Sequence, residues 1–116
     1  MLLLCYPNCK TCRKAMDWLQ TKGHTYRERN IKEQNPTYEE LSDWYKKSGL
    51  PLKRFFNTSG HLYKDLQLKD KLADMTEEEQ LRLLATNGML VKRPLLVLED
   101  SVLVGFRESD WWLRLR

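Results

Sequence analysis

The stretch that decides the fold is Leu2–Leu19, which reads LLLCYPNCKTCRKAMDWL. It begins with a short apolar run, Leu2–Tyr6, of the kind that forms buried parallel strands. After the Pro7–Asn8 turn, apolar residues recur with the helical spacing i, i+3, i+4, i+7, and these residues are Cys12, Ala15, Met16 and Leu19. The stretch therefore predicts a strand, a turn and a helix that ends at Gly23.

The flanking segments extend this start into an α/β domain. Thr25–Ile31 predicts a second strand, so the chain opens with a βαβ unit. Near the other end, Leu95–Leu98 and Val102–Val104 predict a β-hairpin over a three-residue polar turn. A last helix is expected from about Glu108, and its apolar residues could dock on the sheet; they are Trp111, Trp112 and Leu115.

The middle of the chain is predicted to be helical. Thr37–Glu40 and Thr76–Glu79 both match the capping box that starts a helix. The first helix is expected to end at Gly49 and the second at Asn87–Gly88. Between them, Leu66–Leu72 predicts a further helical stretch.

Length and composition limit the class of protein. A chain of 116 residues suits a single domain over 1–116, and 41% hydrophobic residues exclude wholesale disorder. The net charge is +4 with acids and bases interleaved, which predicts no direct nucleic-acid partner. Three cysteines argue against a disulfide-stapled secreted fold. Without a signal-peptide pattern, or the roughly 20 apolar residues that cross a bilayer, we expect a soluble cytoplasmic monomer with no membrane partner.

Cys9-Lys10-Thr11-Cys12 is a C-x-x-C motif between the first strand and the first helix. Free N–H groups and the helix dipole at that position stabilise a thiolate and lower the pKa of the first cysteine. Lys10 and Arg13, together with Lys14, add positive charge beside it. Cys12, one turn into the helix, is placed to attack an intermediate on Cys9. The spacing therefore predicts Cys9 as nucleophile and Cys12 as resolving thiol.

Other interpretations of the cysteines are open on the sequence. A structural zinc site needs four ligands, and only Cys5, His24 and His61 remain, none of them in a paired spacing. Inert cysteines that merely coincide with the motif are a second alternative. Cys5 itself lies in the apolar first strand and is expected to be a buried packing residue, with a smaller chance of joining the redox chemistry.

Arg93-Pro94 directly precedes the Leu95–Leu98 strand. X-Pro bonds adopt the cis form more readily than other peptide bonds, and Arg93 could bind an anion or tune the thiolate. From spacing alone, a strand-edge proline with a solvated arginine is the favoured alternative.

Four segments, in order along the chain, carry a resemblance: Cys9–Ala15 (CKTCRKA), Phe56–Gly60 (FNTSG), Leu68–Leu72 (LKDKL) and Gly88–Pro94 (GMLVKRP). Together they resemble the ArsC/Spx family of thioredoxin-fold proteins, and most closely its small bacterial arsenate-reductase-like and Spx/MgsR-like members. The resemblance implies an α/β fold with a thioredoxin/glutaredoxin-like mixed sheet and a helical insertion at about 37–87. It also implies a cis-Pro94 that faces the Cys9 thiol, which overturns the favoured alternative above, and a substrate groove at Pro94 and Asn57.

Because members of this family diverge, the resemblance leaves several functions open. Our main hypothesis is a thiol–disulfide redox protein whose reductant is thioredoxin, glutaredoxin or a low-molecular-weight thiol, with no metal, nucleotide or flavin cofactor. A glutaredoxin-coupled arsenate reductase would need an arginine trio, of which Arg93 matches one member. The other two positions fall near Asn57 and Gly105, where no arginine stands, although Arg54 and Arg107 are nearby in sequence.

A third function is a redox-sensing regulator that binds the C-terminal domain of the RNA polymerase α-subunit, with the C-x-x-C motif as a disulfide switch. Gly49 loosely matches a glycine that such regulators use at this contact. A helix C-cap explains Gly49 equally, and we favour the cap.

Overall fold

The computed structural model describes residues 1–115, and within them it contains four strands and six α-helices. In chain order these are β1 Leu2–Cys5, α1 Lys10–Thr21, β2 Arg27–Asn30, α2 Tyr38–Ser48, α3 His61–Asp65, α4 Leu68–Lys71, α5 Glu77–Leu84, β3 Leu95–Val97, β4 Val102–Val104 and α6 Glu108–Leu115. Short 3₁₀ turns occur at Leu52–Phe55, Leu72–Asp74 and Gly88–Leu90. None of the helices in this part of the chain is long and apolar enough to cross a membrane.

The strands form one mixed sheet in the order β2-β1-β3-β4. β1 and β2 are parallel, which confirms the predicted βαβ unit, and β3 pairs antiparallel with both β1 and β4. The helices α2 to α5 lie in the chain between β2 and β3, so the structure has the predicted mixed sheet with a helical insertion.

Side chains of β1 alternate between the two faces of the sheet, as strand geometry requires. Leu4 belongs to the apolar cluster formed mainly by the inserted helices, which includes Leu41 and Phe55. Leu3 and Cys5 belong to the opposite cluster, whose other buried members are Cys12, Ala15, Trp18, Leu19, Leu96 and Trp111. The sheet therefore holds the end of β1 and the first turn of α1 together on one face.

Both predicted capping boxes are present. The Thr37 hydroxyl accepts from the Glu40 N–H at 3.1 Å, and the Glu40 carboxylate accepts from the Thr37 N–H at 3.0 Å. Thr76 and Glu79 make the same reciprocal pair at the start of α5. Gly49 follows α2 with φ of 67°, so it is the left-handed C-cap that the sequence favoured.

Two helix ends differ from the prediction. α5 ends at Leu84 rather than at Asn87–Gly88, because the Asn87 side chain instead accepts from the Met89 N–H at 2.9 Å and caps the next 3₁₀ turn. The predicted helical stretch Leu66–Leu72 is interrupted at Gln67, whose φ of 55° is left-handed. This residue separates α3 from α4.

The prediction that the apolar residues of α6 dock on the sheet is confirmed only in part. Trp111 is buried and its indole N–H donates to the Gly105 carbonyl at 3.1 Å. The expectation that Trp112 also docks is wrong, since its side chain is 47% exposed. Successive helical residues point about 100° apart, so Trp112 is turned away from the face of α6 on which Trp111 packs. Leu115, one turn after Trp111, is partly buried in the same cluster.

Candidate functional site

The C-x-x-C loop connects β1 to α1 through a tight turn. The Cys9 N–H donates to the Tyr6 carbonyl at 3.0 Å, and Cys9 then occupies the N-cap position of α1 with extended backbone. No acidic residue lies in the first turn of this 12-residue helix. The Cys9 side chain is partly exposed and is a free thiol. The structure thus places Cys9 where substrate can reach it, at the positive end of a helix dipole.

Cys12 is fully buried in the first turn of α1. Its sulfur accepts a hydrogen bond from the Tyr6 N–H at 3.4 Å. The Cys5 contact, the Tyr6 and Cys9 contacts and the positive charge of Arg93 together outweigh burial and lower the pKa of Cys12 to about 6. The lowered pKa favours the thiolate form of Cys12, which suits a thiol that must attack a disulfide.

Cys5 is buried, as the sequence predicts for a packing residue, and it lies in the same apolar cluster as Cys12. Its interaction with Cys12 and its burial raise the pKa of Cys5. The alternation of side chains along β1 accounts for this placement, because it sends Cys5 to the face on which α1 packs.

Arg93 and Pro94 lie next to the end of β1. Leu4 pairs with Leu95 in the antiparallel register, and the same register continued brings the Arg93-Pro94 peptide beside Cys5 and Tyr6. This peptide bond is cis, as the family resemblance implied. The Arg93 guanidinium lies over the Tyr6 ring, with the guanidinium carbon 5.4 Å from the ring centroid. A solvated arginine at a strand edge is therefore the wrong interpretation.

One atom of Arg93 has no partner within the fold. Its Nε is buried and unpaired among residues 1–115, and its Nη1 has only a weak contact with the Met89 sulfur at 3.9 Å. Buried N–H groups of this kind almost always have an acceptor. An N–H donor that the fold leaves unpaired beside a reactive thiol is therefore available to a substrate oxygen or sulfur.

The structure does not bring the remaining predicted residues against the sulfurs. Lys10, Arg13 and Lys14 are exposed on the first turns of α1, and the positive side chain that acts on Cys12 is Arg93. Asn57 lies beside the segment that leads to Arg93, with its N–H donating to the Leu90 carbonyl at 2.7 Å. It makes no hydrogen bond to a cysteine within the described chain.

A cationic cavity borders the C-x-x-C loop, and sequence reasoning could not locate it. Its volume is about 400 Å³, and Thr11 of the motif lines it together with Arg54, Lys92 and Arg107. Within residues 1–115 none of these three cations takes part in a salt bridge. Arg54 and Arg107 are about fifty positions apart in the chain, so only the tertiary fold shows that they meet.

Within residues 1–115 no group of three or more His, Cys, Asp or Glu side chains is arranged to hold a metal ion. Cys5, Cys9 and Cys12 all belong to or pack against one apolar cluster.

Comparisons with known proteins found one matching family model and several similar chains. The model of the ArsC family matches residues 4–113. An ArsC family related protein from Bacteroides fragilis is 57% identical with a TM-score of 0.95, covering 97% of this chain and 94% of that one. A possible arsenate reductase from Streptococcus mutans is 43% identical with a TM-score of 0.87, covering 94% of each chain. The regulatory protein MgsR of Bacillus subtilis is 30% identical over 90% of this chain and 82% of its own.

Proposed function

The chain belongs to the ArsC family, and we propose that it is a thiol–disulfide oxidoreductase with Cys9 as nucleophile and Cys12 as resolving thiol. The observation that carries this proposal is the pairing of a partly exposed Cys9 at a helix N-terminus with a buried, hydrogen-bonded Cys12 whose pKa is about 6. A structural thiol needs neither the exposure nor the ionisation.

The reaction follows from this pairing in two exchange steps. The Cys9 thiolate attacks one sulfur of a disulfide substrate, which forms a mixed disulfide on Cys9 and releases the first substrate thiolate. The Cys12 thiolate then attacks the Cys9 sulfur, which forms the Cys9–Cys12 disulfide and releases the second substrate thiolate. Thioredoxin, glutaredoxin or a low-molecular-weight thiol would return the two electrons.

Arg93 and Pro94 are proposed to hold the substrate at this step. The unpaired Nε of Arg93 supplies an N–H donor, and its charge favours the thiolate form of Cys12. Pro94 and Asn57 would line the groove in which the substrate chain lies. Lys10 and Arg13, on the exposed side of the loop, would add to the positive field on Cys9.

Two single variants test this assignment. With a mixed-disulfide substrate, Cys12→Ser is expected to accumulate a covalent adduct on Cys9, which intact mass spectrometry detects. Cys9→Ser is expected to form no adduct, since the buried Cys12 cannot reach a bulky disulfide. An adduct on Cys12, or a wild-type protein that forms no Cys9–Cys12 disulfide with substrate, would overturn the proposal.

Arsenate reduction is a second candidate, and the cationic cavity favours it. Two of the three arginine positions of an arsenate reductase hold Asn57 and Gly105 in this chain. Arg54 and Arg107 nevertheless bring two guanidinium groups to one cavity beside Thr11. Bidentate guanidinium groups suit a tetrahedral oxyanion. Arsenate-dependent thiol oxidation, with glutaredoxin and with thioredoxin, tests this candidate, and absence of turnover with both reductants removes it.

A redox-sensing regulator is the third candidate, favoured by the 30% identity to the regulatory protein MgsR over most of both chains. In this function the Cys9–Cys12 disulfide would switch binding to the RNA polymerase α-subunit. A pull-down with the α C-terminal domain, before and after oxidation, tests it. Binding in neither state would exclude this candidate.

A further inference from the structure

The outer edge of β4 carries backbone groups that the sheet leaves unpaired. β4 is the last strand in the order β2-β1-β3-β4, so only one of its sides has a neighbouring strand. Across the β3–β4 pair, the Gly105 N–H donates to the Pro94 carbonyl at 2.8 Å. Because bonded and non-bonded residues alternate in an antiparallel pair, the N–H and C=O groups of Val102 and Val104 point away from β3. These are the groups with which a further strand would pair.

A cavity of about 310 Å³, which we call the edge cavity, lies along this side of β4. Residues 101–105 line it together with the end of α2 at Ser48 and with α6 at Leu113. Ser101, which precedes β4, is buried, and its hydroxyl has no hydrogen-bond partner within residues 1–115. The strand edge therefore borders an open space, and its polar groups are short of partners.

The edge cavity is strongly cationic. Arg54, Arg107 and Arg114 line it, against one acidic residue, Asp110. Within residues 1–115 none of the three arginines takes part in a salt bridge. Guanidinium groups without partners around the site of an extended chain favour carboxylate side chains in that chain.

The edge cavity continues into the cationic cavity beside the C-x-x-C loop. The two cavities share Arg54, Val104, Gly105 and Arg107, and Thr11 of the motif lines the second one. A chain that pairs with β4 and extends past Gly105 would therefore reach the loop that carries the reactive cysteines.

We propose that the edge of β4 is the docking surface for a protein substrate, which adds an extended acidic segment as a fifth strand and presents its disulfide to Cys9. This inference rests on the proposed thiol–disulfide function and names its substrate class. The substrate disulfide is reduced to two thiols while Cys9 and Cys12 are oxidised to a disulfide. The added strand forms backbone hydrogen bonds with β4, and the arginines select its charge.

A second copy of this chain is the alternative occupant, because an open strand edge can pair with itself. Pairing two copies through β4 would bring the three arginines of one edge cavity towards those of the other, with a single Asp110 in each to offset them. Like charges that face each other across an interface oppose association. The charge therefore favours an acidic partner over self-association.

Peptide substrates test the preference for acidic chains. Each is a short peptide whose single cysteine is held in a mixed disulfide with a chromophoric thiol, which attack by Cys9 and then Cys12 releases together with the peptide thiol. One peptide carries Glu at alternate positions, and its matched control carries Gln there. We expect the wild type to react about tenfold faster with the Glu peptide at low ionic strength, and this ratio to fall towards one at high salt.

Arginine variants locate the preference on the molecule. Arg114→Gln removes a guanidinium from the edge cavity, and Arg27→Gln is the matched control on β2, the opposite edge strand of the sheet. We expect Arg114→Gln to lower the ratio of the Glu to the Gln rate about threefold, and Arg27→Gln to leave it unchanged. Equal effects would assign the preference to overall charge and overturn the docking surface.

Hydrogen exchange tests the backbone pairing directly. With a Glu peptide that carries serine in place of cysteine, we expect saturation to slow exchange of the Val102 and Val104 amides about tenfold or more, measured by NMR. Two isomers of this peptide, N-methylated on one or the other alternate set of residues, are the matched pair. Only one isomer is expected to give this protection, because alternate N–H groups of a strand point to opposite edges.

The outcomes separate the docking surface from the proposed function. Equal rates for the Glu and Gln peptides, or unchanged exchange at Val102 and Val104, would overturn the docking surface even where the wild type oxidises its two cysteines. A dimer that protects these amides without peptide would also overturn it and assign the edge to a second copy. If no peptide or small disulfide produces the Cys9–Cys12 disulfide, the proposed function fails, whatever the amides show.

Discussion

The C-x-x-C loop and the junction between β2 and α2 differ in whether their arginine side chains have hydrogen-bond partners within the fold. At the junction, Arg29 is fully paired: it binds both oxygens of Glu40 at 2.7 and 2.9 Å and donates to the backbone carbonyls of Gln34 and Asn35. At the loop, Arg93 keeps a buried Nε without a partner. An arginine that the fold satisfies stabilises the fold, whereas one left unsatisfied beside reactive groups is available for chemistry.

The same contrast appears in the titratable groups. Glu40 is held ionised by Arg29 and by the Thr37 N–H, two partners that keep their positions whatever binds elsewhere. Cys12 is held ionised partly by Cys9, the group that must change partner in the proposed reaction. The contacts of Glu40 at the junction are therefore complete within the fold, whereas the reaction would rearrange the contacts of Cys12. Substitutions in the two regions should separate stability from reactivity.

The largest expected effect is on the fold, at Gly88. A Cβ atom there would lie 1.8 Å from the Ile31 carbonyl oxygen, and backbone cannot easily move away. We expect Gly88→Ala to lower the free energy of unfolding by about 3 kcal/mol or more. Gly49→Ala is the matched control: its φ of 67° strains alanine, but nothing lies within 4 Å of the new atom, and the expected loss is about 1 kcal/mol. Equal losses in urea denaturation would contradict this close approach.

Exchanging the two arginines for methionine tests the comparison itself. Arg29→Met is expected to lower stability by about 2 kcal/mol, because it breaks a bidentate, partly buried pair, and to leave mixed-disulfide formation on Cys9 unchanged. Arg93→Met is expected to slow disulfide exchange about tenfold to a hundredfold with little loss of stability, since it removes only the stacking on the Tyr6 ring and the weak contact with the Met89 sulfur. Urea denaturation and single-turnover exchange measure the two quantities. A stability loss at Arg93 as large as at Arg29 would show that the contrast is false.

Features of both regions could be predicted from the sequence wherever they depend on neighbouring residues. The capping boxes, the C-cap at Gly49 and the C-x-x-C motif before a helix all depend on residues within one turn of each other. The predicted end of α5 at Asn87–Gly88 was wrong because Asn87 caps the following 3₁₀ turn, and the close approach of Gly88 in that turn to Ile31, more than fifty residues earlier, depends on the tertiary fold. No local pattern in the segment around Gly88 contains that information.

The candidate site divides in the same way. Cys9, Cys12 and Arg93 were identified from motif and position, and the structure brings Cys12 together with both of the others. The convergence of Arg54, Lys92 and Arg107 on one cavity depends on packing between distant segments. The burial of Cys5 was predicted from its place in the apolar first strand, but its presence in the same cluster as Cys12 depends on the packing of α1 on the sheet.

Lowering the pH should slow the resolving step at Cys12 before it weakens the Arg29–Glu40 pair. The pKa of Cys12 is lowered to about 6, so the resolving step is expected to slow about tenfold for each pH unit below that value. The lowered pKa also means that ionised Cys12 stabilises the fold fully above the unfolded thiol value of about 8.5, and that this stabilisation is lost as the pH falls through about 6.

The stability contribution of Glu40 depends on pH in the same direction, but over a lower pH range. Its pKa is lowered, chiefly by Arg29, so its contribution is present above the unfolded carboxyl value of about 4.3 and is lost only as the pH falls through the lower folded value. Between about pH 6 and 4.3 exchange should therefore slow while the Arg29–Glu40 pair persists. Stopped-flow exchange and NMR of the Glu40 carboxyl follow the two groups, and a common midpoint would contradict the separation.

The smallest expected effects are those of the two helix caps, which test whether the junction network is more than a cap. Thr76→Ala removes an isolated capping box and is expected to cost about 1 kcal/mol of stability. Thr37→Ala removes the same box, but Glu40 there also binds Arg29, so the carboxylate stays anchored when the hydroxyl is lost. We therefore expect Thr37→Ala to cost less than Thr76→Ala, and the double variant Thr37→Ala with Arg29→Met to cost more than the sum of its parts. Strict additivity in urea denaturation would mean that the cap and the ion pair act independently, and that the junction is two separate contacts rather than one network.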